Sequence, residues 1–123
     1  MKILLVEDNQ LILKVIETKL KKEGYEVISY DNGRDAIEKI NYDLPDLVIT
    51  DIMLPYNSGL EIVSFVKSQS QKNIPVIVLS GLGQEQTIEE AFKLGADDYM
   101  TKPFSLSELS MRIKRFSRLI SAA

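Results

Sequence analysis

The sequence predicts an α/β fold in which helices cover both faces of a parallel five-stranded sheet. Short apolar runs alternate along the chain with segments whose apolar residues recur at helical spacing. Alternating strands and helices with right-handed crossovers produce a doubly wound parallel sheet. A chain of 123 residues with 45% hydrophobic and 27% charged residues matches one globular core. We therefore predict a single domain over residues 1–123, built from five strand–helix units.

Five short segments are predicted as strands. Three of them, 3–6, 47–50 and 76–79, read ILLV, LVIT and VIVL, and they are too short and apolar for helices. The segments 26–30 (EVISY) and 98–101 (DYMT) carry more polar groups, so they tolerate one exposed side. They are the predicted edges. With the apolar strands in the middle, the simplest doubly wound order is 2-1-3-4-5.

Five further segments are predicted as helices that lie on this sheet. Their apolar residues have helical spacing: Ile12, Ile16 and Leu20; Ala36, Ile37 and Ile40; Leu60, Val63 and Val66; Ile88, Ala91 and Phe92; Leu109, Ile113, Phe116 and Ile120. Gly24 and Gly95 lie where helix C-terminal caps are expected, and Pro45 and Pro75 precede strands. These glycine and proline positions agree with the helix and strand boundaries that the apolar periodicity predicts.

Composition excludes several classes of function. A net charge of -3 and a pI near 5.0 argue against a nucleic-acid-binding surface, which needs an excess of cations. The chain has no cysteine or histidine, so thiol chemistry, Ser-His catalysis and imidazole metal sites are excluded. No apolar run approaches the roughly 20 residues of a membrane span, and no signal peptide is recognisable. We expect a cytoplasmic protein that binds neither nucleic acid nor membrane.

Residues suited to phosphoryl chemistry follow four of the predicted strands. In this strand order the winding direction reverses between strands 1 and 3, and ligands bind beyond the carboxyl ends of the strands there. Clustered carboxylates need a cation, and a site with only oxygen ligands favours Mg²⁺. A carboxylate can also attack phosphorus as a nucleophile. The residues expected at this edge are Glu7, Asp8, Asp51, Ser80 and Lys102.

Five stretches together resemble the receiver domain of response regulators in two-component signalling. They occur in the family's order and cover the whole chain: ILLVEDN (3–9), DLVITDIMLP (46–55), Gly59 eight positions after Asp51, VIVLSG (76–81) and GADDYMTKPF (95–104). The resemblance implies a flavodoxin-like sheet and a phosphorylation-activated switch that controls an output domain or a partner.

The resemblance also implies roles at the acidic site. Asp51 would accept a phosphoryl group from the phosphohistidine of a sensor histidine kinase or a phosphotransfer protein. Asp8, Asp51 and the backbone carbonyl of Met53 would bind Mg²⁺ directly, and Glu7 would act through water. Apart from transfer of the phosphoryl group to Asp51 and its hydrolysis, no enzymatic activity is expected.

Further roles implied by the resemblance lie after the last two strands. Lys102 would contact the phosphoryl oxygens, and the Lys102–Pro103 bond would be cis, which only an X-Pro bond adopts cheaply. Ser80 would be the switch hydroxyl, and Tyr99 would turn inward when Ser80 moves. Gly81 would leave room for the phosphoryl group beside Ser80.

A phosphorylation-dependent homodimer is a further expectation from the resemblance. In the winged-helix transcription-factor class, the surface of helix 4, strand 5 and helix 5 forms a dimer through ion pairs. Ile88 departs from the pattern, because that class tends to have a basic residue there. The residues that resemble parts of the interface set are Asp97, Asp98, Glu108, Arg112 and Lys114.

Alternatives exist for the single residues and for the function. Asp51 could simply end a strand, and Glu7 and Asp8 could be an acidic pair that begins a helix. Ser80 could be a loop hydroxyl, Lys102 a surface lysine, and Tyr99 a fixed aromatic on an edge strand. A rival function is a Mg²⁺-dependent phosphatase of the haloacid-dehalogenase type. That family has a second Asp two residues after its nucleophile, where this chain has Met53. A third possibility is a pseudo-receiver that binds partners without phosphorylation.

Overall fold

The computed structural model describes residues 1–69 and 71–122, and its strands form one parallel sheet. The order is β2-β1-β3-β4-β5, so both the predicted order and the predicted edges are confirmed. The strands are β1 (Lys2–Val6), β2 (Glu26–Tyr30), β3 (Leu47–Thr50), β4 (Val76–Ser80) and β5 (Asp98–Thr101). Ser80 belongs to β4, because its backbone still pairs with Thr101 of β5. The sequence had placed it just after the strand.

The five helices are α1 (Gln10–Lys22), α2 (Gly33–Tyr42), α3 (Gly59–Lys67), α4 (Glu85–Lys93) and α5 (Leu106–Ala122). The first three begin with side-chain caps. Asn9 Oδ1 accepts from the amide of Ile12, and Asn32 Oδ1 accepts from the amide of Asp35. Ser58 and Glu61 form a capping box. These caps place the start of each helix directly after a loop at the carboxyl edge of the sheet.

Glycines follow two of the helices, as expected. Gly24 has φ +93° and Gly95 has φ +111°. Both values lie in the left-handed region that favours glycine, so the predicted C-terminal caps of α1 and α4 are confirmed. Among the described helices, none is both long enough and apolar enough to cross a membrane.

The sheet separates two apolar clusters. On one face, α2, α3 and α4 cover the alternate residues of the strands that include Leu4, Val48 and Val78. On the other face, α1 and α5 cover the opposite set, which includes Leu5 and Ile77. Full burial of one such side chain contributes about 1.5–3 kcal/mol. The two clusters therefore fix the strands rigidly and hold their carboxyl ends in register.

Helix α4 differs from expectation. Phe92 was expected to cover the sheet together with Ala91, but its side chain is 45% exposed, and Ala91 is the one fully buried residue of α4. The Gln84 side chain makes no capping hydrogen bond at the start of α4. The apolar spacing located this helix correctly but overstated the width of its buried face, because Phe92 lies at the edge of that face.

Candidate functional site

Three carboxylates meet at the carboxyl edge of β1 and β3. Glu7 follows β1 and is buried, Asp51 follows β3 and is buried, and Asp8 is exposed. One carboxylate oxygen from each residue lies within 4.8 Å of the others. Three hard oxygen donors at this spacing fit Mg²⁺, which commonly keeps water in part of its coordination sphere. The chemistry of the donor set therefore matches the expected cation.

Lys102 supplies the positive charge at this edge. It follows β5, and its Nζ donates to Asp51 Oδ2 at 2.8 Å and also to Glu7 Oε1. Burial lowers the pKa of Lys102, but hydrogen bonds to Asp51 and Glu7 outweigh it, and the pKa is raised. Burial raises the pKa of Glu7, against the opposing effect of Lys102. The Lys102–Pro103 bond is cis, as predicted.

The Asp51 carboxylate is held at both oxygens. Oδ2 accepts from Lys102, and Oδ1 accepts from the backbone amides of Ile52 at 2.6 Å and Met53 at 3.4 Å. The Asp51 amide in turn donates to the carbonyl of Val6 in β1 at 3.0 Å. These bonds fix the orientation of the Asp51 carboxylate, in a residue that is 7% exposed.

Ser80 and Tyr99 both bond to the backbone of Leu82. Ser80 is fully buried, and its Oγ accepts from the Leu82 amide at 3.0 Å. The Tyr99 hydroxyl donates to the Leu82 carbonyl, and its ring packs, half-buried, against the cluster under α2–α4. Burial is the main cause of a raised Tyr99 pKa, and the charge of Asp51 adds to it. The two residues are thus joined through one peptide segment of the β4–α4 loop.

The structure gives a steric reason for glycine at position 59 that the sequence motif alone did not reveal. A Cβ at this position would lie 1.9 Å from the backbone oxygen of Asp51, which is far inside contact distance. The Gly59 amide also donates to the carbonyl of Ile52 at 2.9 Å. The first turn of α3 therefore packs directly onto the backbone at Asp51. By contrast, a Cβ at Gly81 would meet open space, so its predicted role depends on the phosphoryl group itself.

The five predicted interface residues do not form one cluster. Asp97 accepts from Lys67 of α3 at 2.7 Å and from the amide of Val76 at 2.8 Å, so it bonds on the α3 side of the sheet. Arg112 of α5 bonds to Asp98 at 2.6 Å and to Glu108 at 2.7 Å. Lys114 lies one turn after Ser110, which donates to Glu23 of α1. Lys114 therefore lies on the α1 side of α5, away from Arg112.

The family is identified by comparison with known proteins. The sequence model described as "Response regulator receiver domain" matches residues 3–114. This chain belongs to that family. Receiver domains of response regulators are phosphorylation-activated switches.

Transcriptional regulators are among the relatives of this receiver domain. It is 40% identical to the transcriptional regulatory protein KdpE of Staphylococcus aureus over 118 residues, which are 96% of this chain and 50% of that protein. It is 37% identical to the alkaline phosphatase synthesis transcriptional regulatory protein PhoP of Bacillus subtilis, over 95% of this chain and 48% of that protein. The chain thus spans about half the length of the curated relatives it matches.

Solved receiver structures have the same fold. The receiver domain of the Francisella response regulator 1452 superposes with a TM-score of 0.90 at 34% identity, over 97% of this chain and 98% of that one. The BeF3-activated N-terminal receiver domain of Klebsiella pneumoniae RstA superposes with a TM-score of 0.86 at 29% identity, over 94% and 97%. The flavodoxin-like arrangement predicted from the sequence is confirmed.

Proposed function

We propose that this receiver domain switches state when Asp51 accepts a phosphoryl group from the phosphohistidine of a sensor kinase or phosphotransfer protein. The observation that carries the proposal is the bridge from Lys102 to both Glu7 and Asp51, beside Asp8, at the carboxyl ends of β1, β3 and β5. A buried carboxylate fixed at both oxygens and faced by a cation is equipped to be the acceptor.

The acidic residues have different proposed roles in binding the metal ion. We infer that Asp8, Asp51 and the Met53 carbonyl hold Mg²⁺, with Glu7 acting through water. When bound, Mg²⁺ offsets the negative charge of the phosphoryl oxygens and the carboxylates. The buried Glu7 keeps its place because Oε1 accepts from Lys102 and Oε2 accepts from the Asn9 amide at 3.1 Å.

The transfer step needs no further protein group. An oxygen of Asp51 attacks phosphorus, the bond between phosphorus and the imidazole nitrogen breaks, and its electron pair leaves with the imidazole of the donor. Lys102, already 2.8 Å from Asp51 Oδ2, contacts the transferred oxygens. The product is an acyl phosphate on Asp51, and the protein is modified once rather than turning over.

An assay with two small phosphate donors tests this function. With Mg²⁺, acetyl phosphate should label the protein to a stoichiometric limit, whereas p-nitrophenyl phosphate should not be turned over. Continuous release of nitrophenol would instead favour the haloacid-dehalogenase alternative. Absence of labelling, combined with intact binding to a partner, would favour the pseudo-receiver.

The switch itself is proposed to act through Ser80 and Tyr99. Phosphorylation adds negative charge and strong acceptor oxygens, and the Ser80 hydroxyl, which accepts from the Leu82 amide, can donate to them. Since Leu82 also accepts from Tyr99, a movement of Ser80 changes the contacts of Tyr99 and of the weakly buried α4. Phosphorylation then shifts the balance between two existing conformations.

Homodimer formation is proposed as the result of this switch. Asp98, Glu108 and Arg112 lie together on the β5–α5 surface and can exchange their internal ion pairs for contacts with a second copy. Addition of beryllofluoride and Mg²⁺ should shift the amide resonances of Leu82, α4 and Tyr99, and it should raise the sedimentation coefficient. Identical spectra with and without beryllofluoride would contradict the switch. Shifted spectra from a protein that stays monomeric would contradict the dimer but not the switch.

An apolar groove beside the site is suited to the phosphodonor protein. It is lined by α1 and the segment after β5, where Leu11 is 75% and Val15 is 44% exposed. Lys102 lines the same groove, so a partner seated there holds its donor group next to Asp51. We infer that a sensor kinase or phosphotransfer protein covers Leu11 and Val15.

Replacing Leu11 and Val15 together by serine should slow transfer from a phosphorylated sensor kinase about tenfold, since buried apolar anchors dominate such interfaces. Labelling by acetyl phosphate should be unchanged, because this small donor needs no docking surface. Leu119→Ser, on an exposed position of α5, is the matched control. Equal losses with both donors, or unchanged transfer from the kinase, would contradict the docking surface.

A further inference from the structure

The N-terminus of α2 contacts the loop that follows Asp51, here called the acceptor loop (residues 52–58). The Gly33 amide donates to the carbonyl of Pro55 at 3.1 Å. A Cβ on Gly33 would lie 1.8 Å from the backbone oxygen of Asn57 and 2.6 Å from its carbonyl carbon. Only glycine permits this approach, because the atoms in the way belong to the backbone.

A second contact joins the same two segments. The guanidinium carbon of Arg34 lies 4.0 Å from the centre of the Tyr56 ring. Tyr56 has φ +71°, a conformation that is unfavourable for a residue with a side chain. Its side chain is 70% exposed, so burial in the core does not hold it there. The stacking of Arg34 on the ring stabilises the unusual backbone conformation.

The acceptor loop is therefore fixed from both ends. At its C-terminal end, Gly59 packs on the Asp51 backbone and donates to Ile52, and the Asn57 amide donates to Pro55 at 3.0 Å. Met53 lies between these contacts, and its amide faces Asp51 Oδ1 at 3.4 Å. A displacement of the loop at Pro55–Asn57 must move the Met53 peptide or strain the bonds around it.

The loop residues that Gly33 and Arg34 contact also line a groove beside Asp8. This surface groove is lined by Asp8, Asp31, Asn32, Arg34, Pro55 and Tyr56. Asp8 is the exposed member of the acidic cluster, so this groove opens on the carboxylate that is most accessible to a cation. Gly33 and Arg34 thus hold Pro55 and Tyr56, which line this groove and belong to the loop that carries Met53.

We propose that Gly33 and Arg34 are positioning residues that set the Mg²⁺ affinity of the site by holding the acceptor loop through Pro55, Tyr56 and Asn57. This inference rests on the proposed function, because it takes the Met53 carbonyl as a ligand. Groups that hold ligands in place typically alter metal affinity about 10–100-fold when they are changed. The residues act through the loop and do not themselves touch the metal.

The test is a titration of the whole chain with MgCl₂, followed by amide NMR shifts of residues 52–59, together with thermal unfolding of each variant. Gly33→Ala should raise the Kd for Mg²⁺ about tenfold, because the new methyl group displaces the Asn57 peptide. Gly24→Ala is the control for stability. It places a side chain on a residue with φ +93°, away from the acidic cluster, and should lower the melting temperature while leaving the Kd unchanged.

A second pair of variants keeps the test informative if Gly33→Ala fails to fold. Tyr56→Ala removes the ring without changing any charge and should raise the Kd about threefold. Tyr56→Phe keeps the ring under Arg34 and should retain the wild-type Kd. An unchanged Kd in Tyr56→Ala, or equal weakening in Tyr56→Ala and Tyr56→Phe, would overturn the inference.

The outcome for the wild-type protein separates this inference from the proposed function. If the wild-type chain binds Mg²⁺ and Asp8→Asn does not, the metal site stands, and the Gly33 and Tyr56 variants decide the inference alone. If the wild-type chain shows no Mg²⁺-dependent shifts, the metal site of the proposed function is wrong and the inference falls with it.

Discussion

Asp51→Asn is expected to abolish labelling by acetyl phosphate while the protein remains folded. The amide that replaces the carboxylate is a very poor nucleophile towards phosphorus, so no acyl phosphate forms. The fold survives because the asparagine oxygen can still accept from the Ile52 amide, and Lys102 keeps its bond to Glu7. The substitution also removes one of three mutually repelling charges.

Intact-mass spectrometry after incubation with acetyl phosphate and Mg²⁺ measures this result, and circular dichroism reports the fold. Asp43→Asn is the matched control, since Asp43 lies after α2 beside Lys2, at the end of β1 away from the acidic cluster, and should leave labelling unchanged. A phosphorylated Asp51→Asn protein would show that another carboxylate, such as Asp8, is the acceptor. Lost labelling in both variants would trace the effect to something other than Asp51.

Gly59→Ala is expected to cause a large loss of stability. Its methyl group would lie 1.9 Å from the Asp51 backbone oxygen and 2.8 Å from Cα of Ile52, and neither atom can move without displacing the acceptor loop. We expect the free energy of unfolding to fall by about 3 kcal/mol, at the upper end for overpacking of a well-packed region. Urea unfolding followed by circular dichroism measures it.

Gly81→Ala is the control for this prediction. Its Cβ would meet open space, so the free energy of unfolding should stay within about 0.5 kcal/mol of the wild-type value. A similar loss in both variants would mean that the contact with Asp51 is not the cause, since Gly→Ala at an open position is expected to be neutral or stabilising. An unchanged stability in Gly59→Ala would show that the start of α3 can move away from the acceptor.

Much of the fold could be predicted because its determinants are local. The contrast between three apolar strands and two mixed ones was enough to place the edges, and the positions of Gly24 and Gly95 marked two helix ends. The grouping of Glu7, Asp8 and Asp51 followed from topology, since residues after neighbouring parallel strands meet at one edge.

The contacts that the sequence did not reveal depend on close approach between distant segments. Nothing in the sequence around Gly33 indicates that Asn57, 24 positions later, lies against it. Asp97 was grouped with the interface residues, but its nearest cation is Lys67 of α3. Such pairings are decided by how α2 and α3 pack on the sheet, and periodicity does not specify that.

The alternation along β4 has a consequence for how a local event spreads. Val76 and Val78 face the cluster under α2–α4, while Ile77 and Leu79 face the cluster under α1 and α5, and the strand ends at Ser80. A displacement of Ser80 along the strand axis would therefore change the packing of both apolar clusters. Because β4 packs against both clusters, its displacement can reach helices on both faces of the sheet.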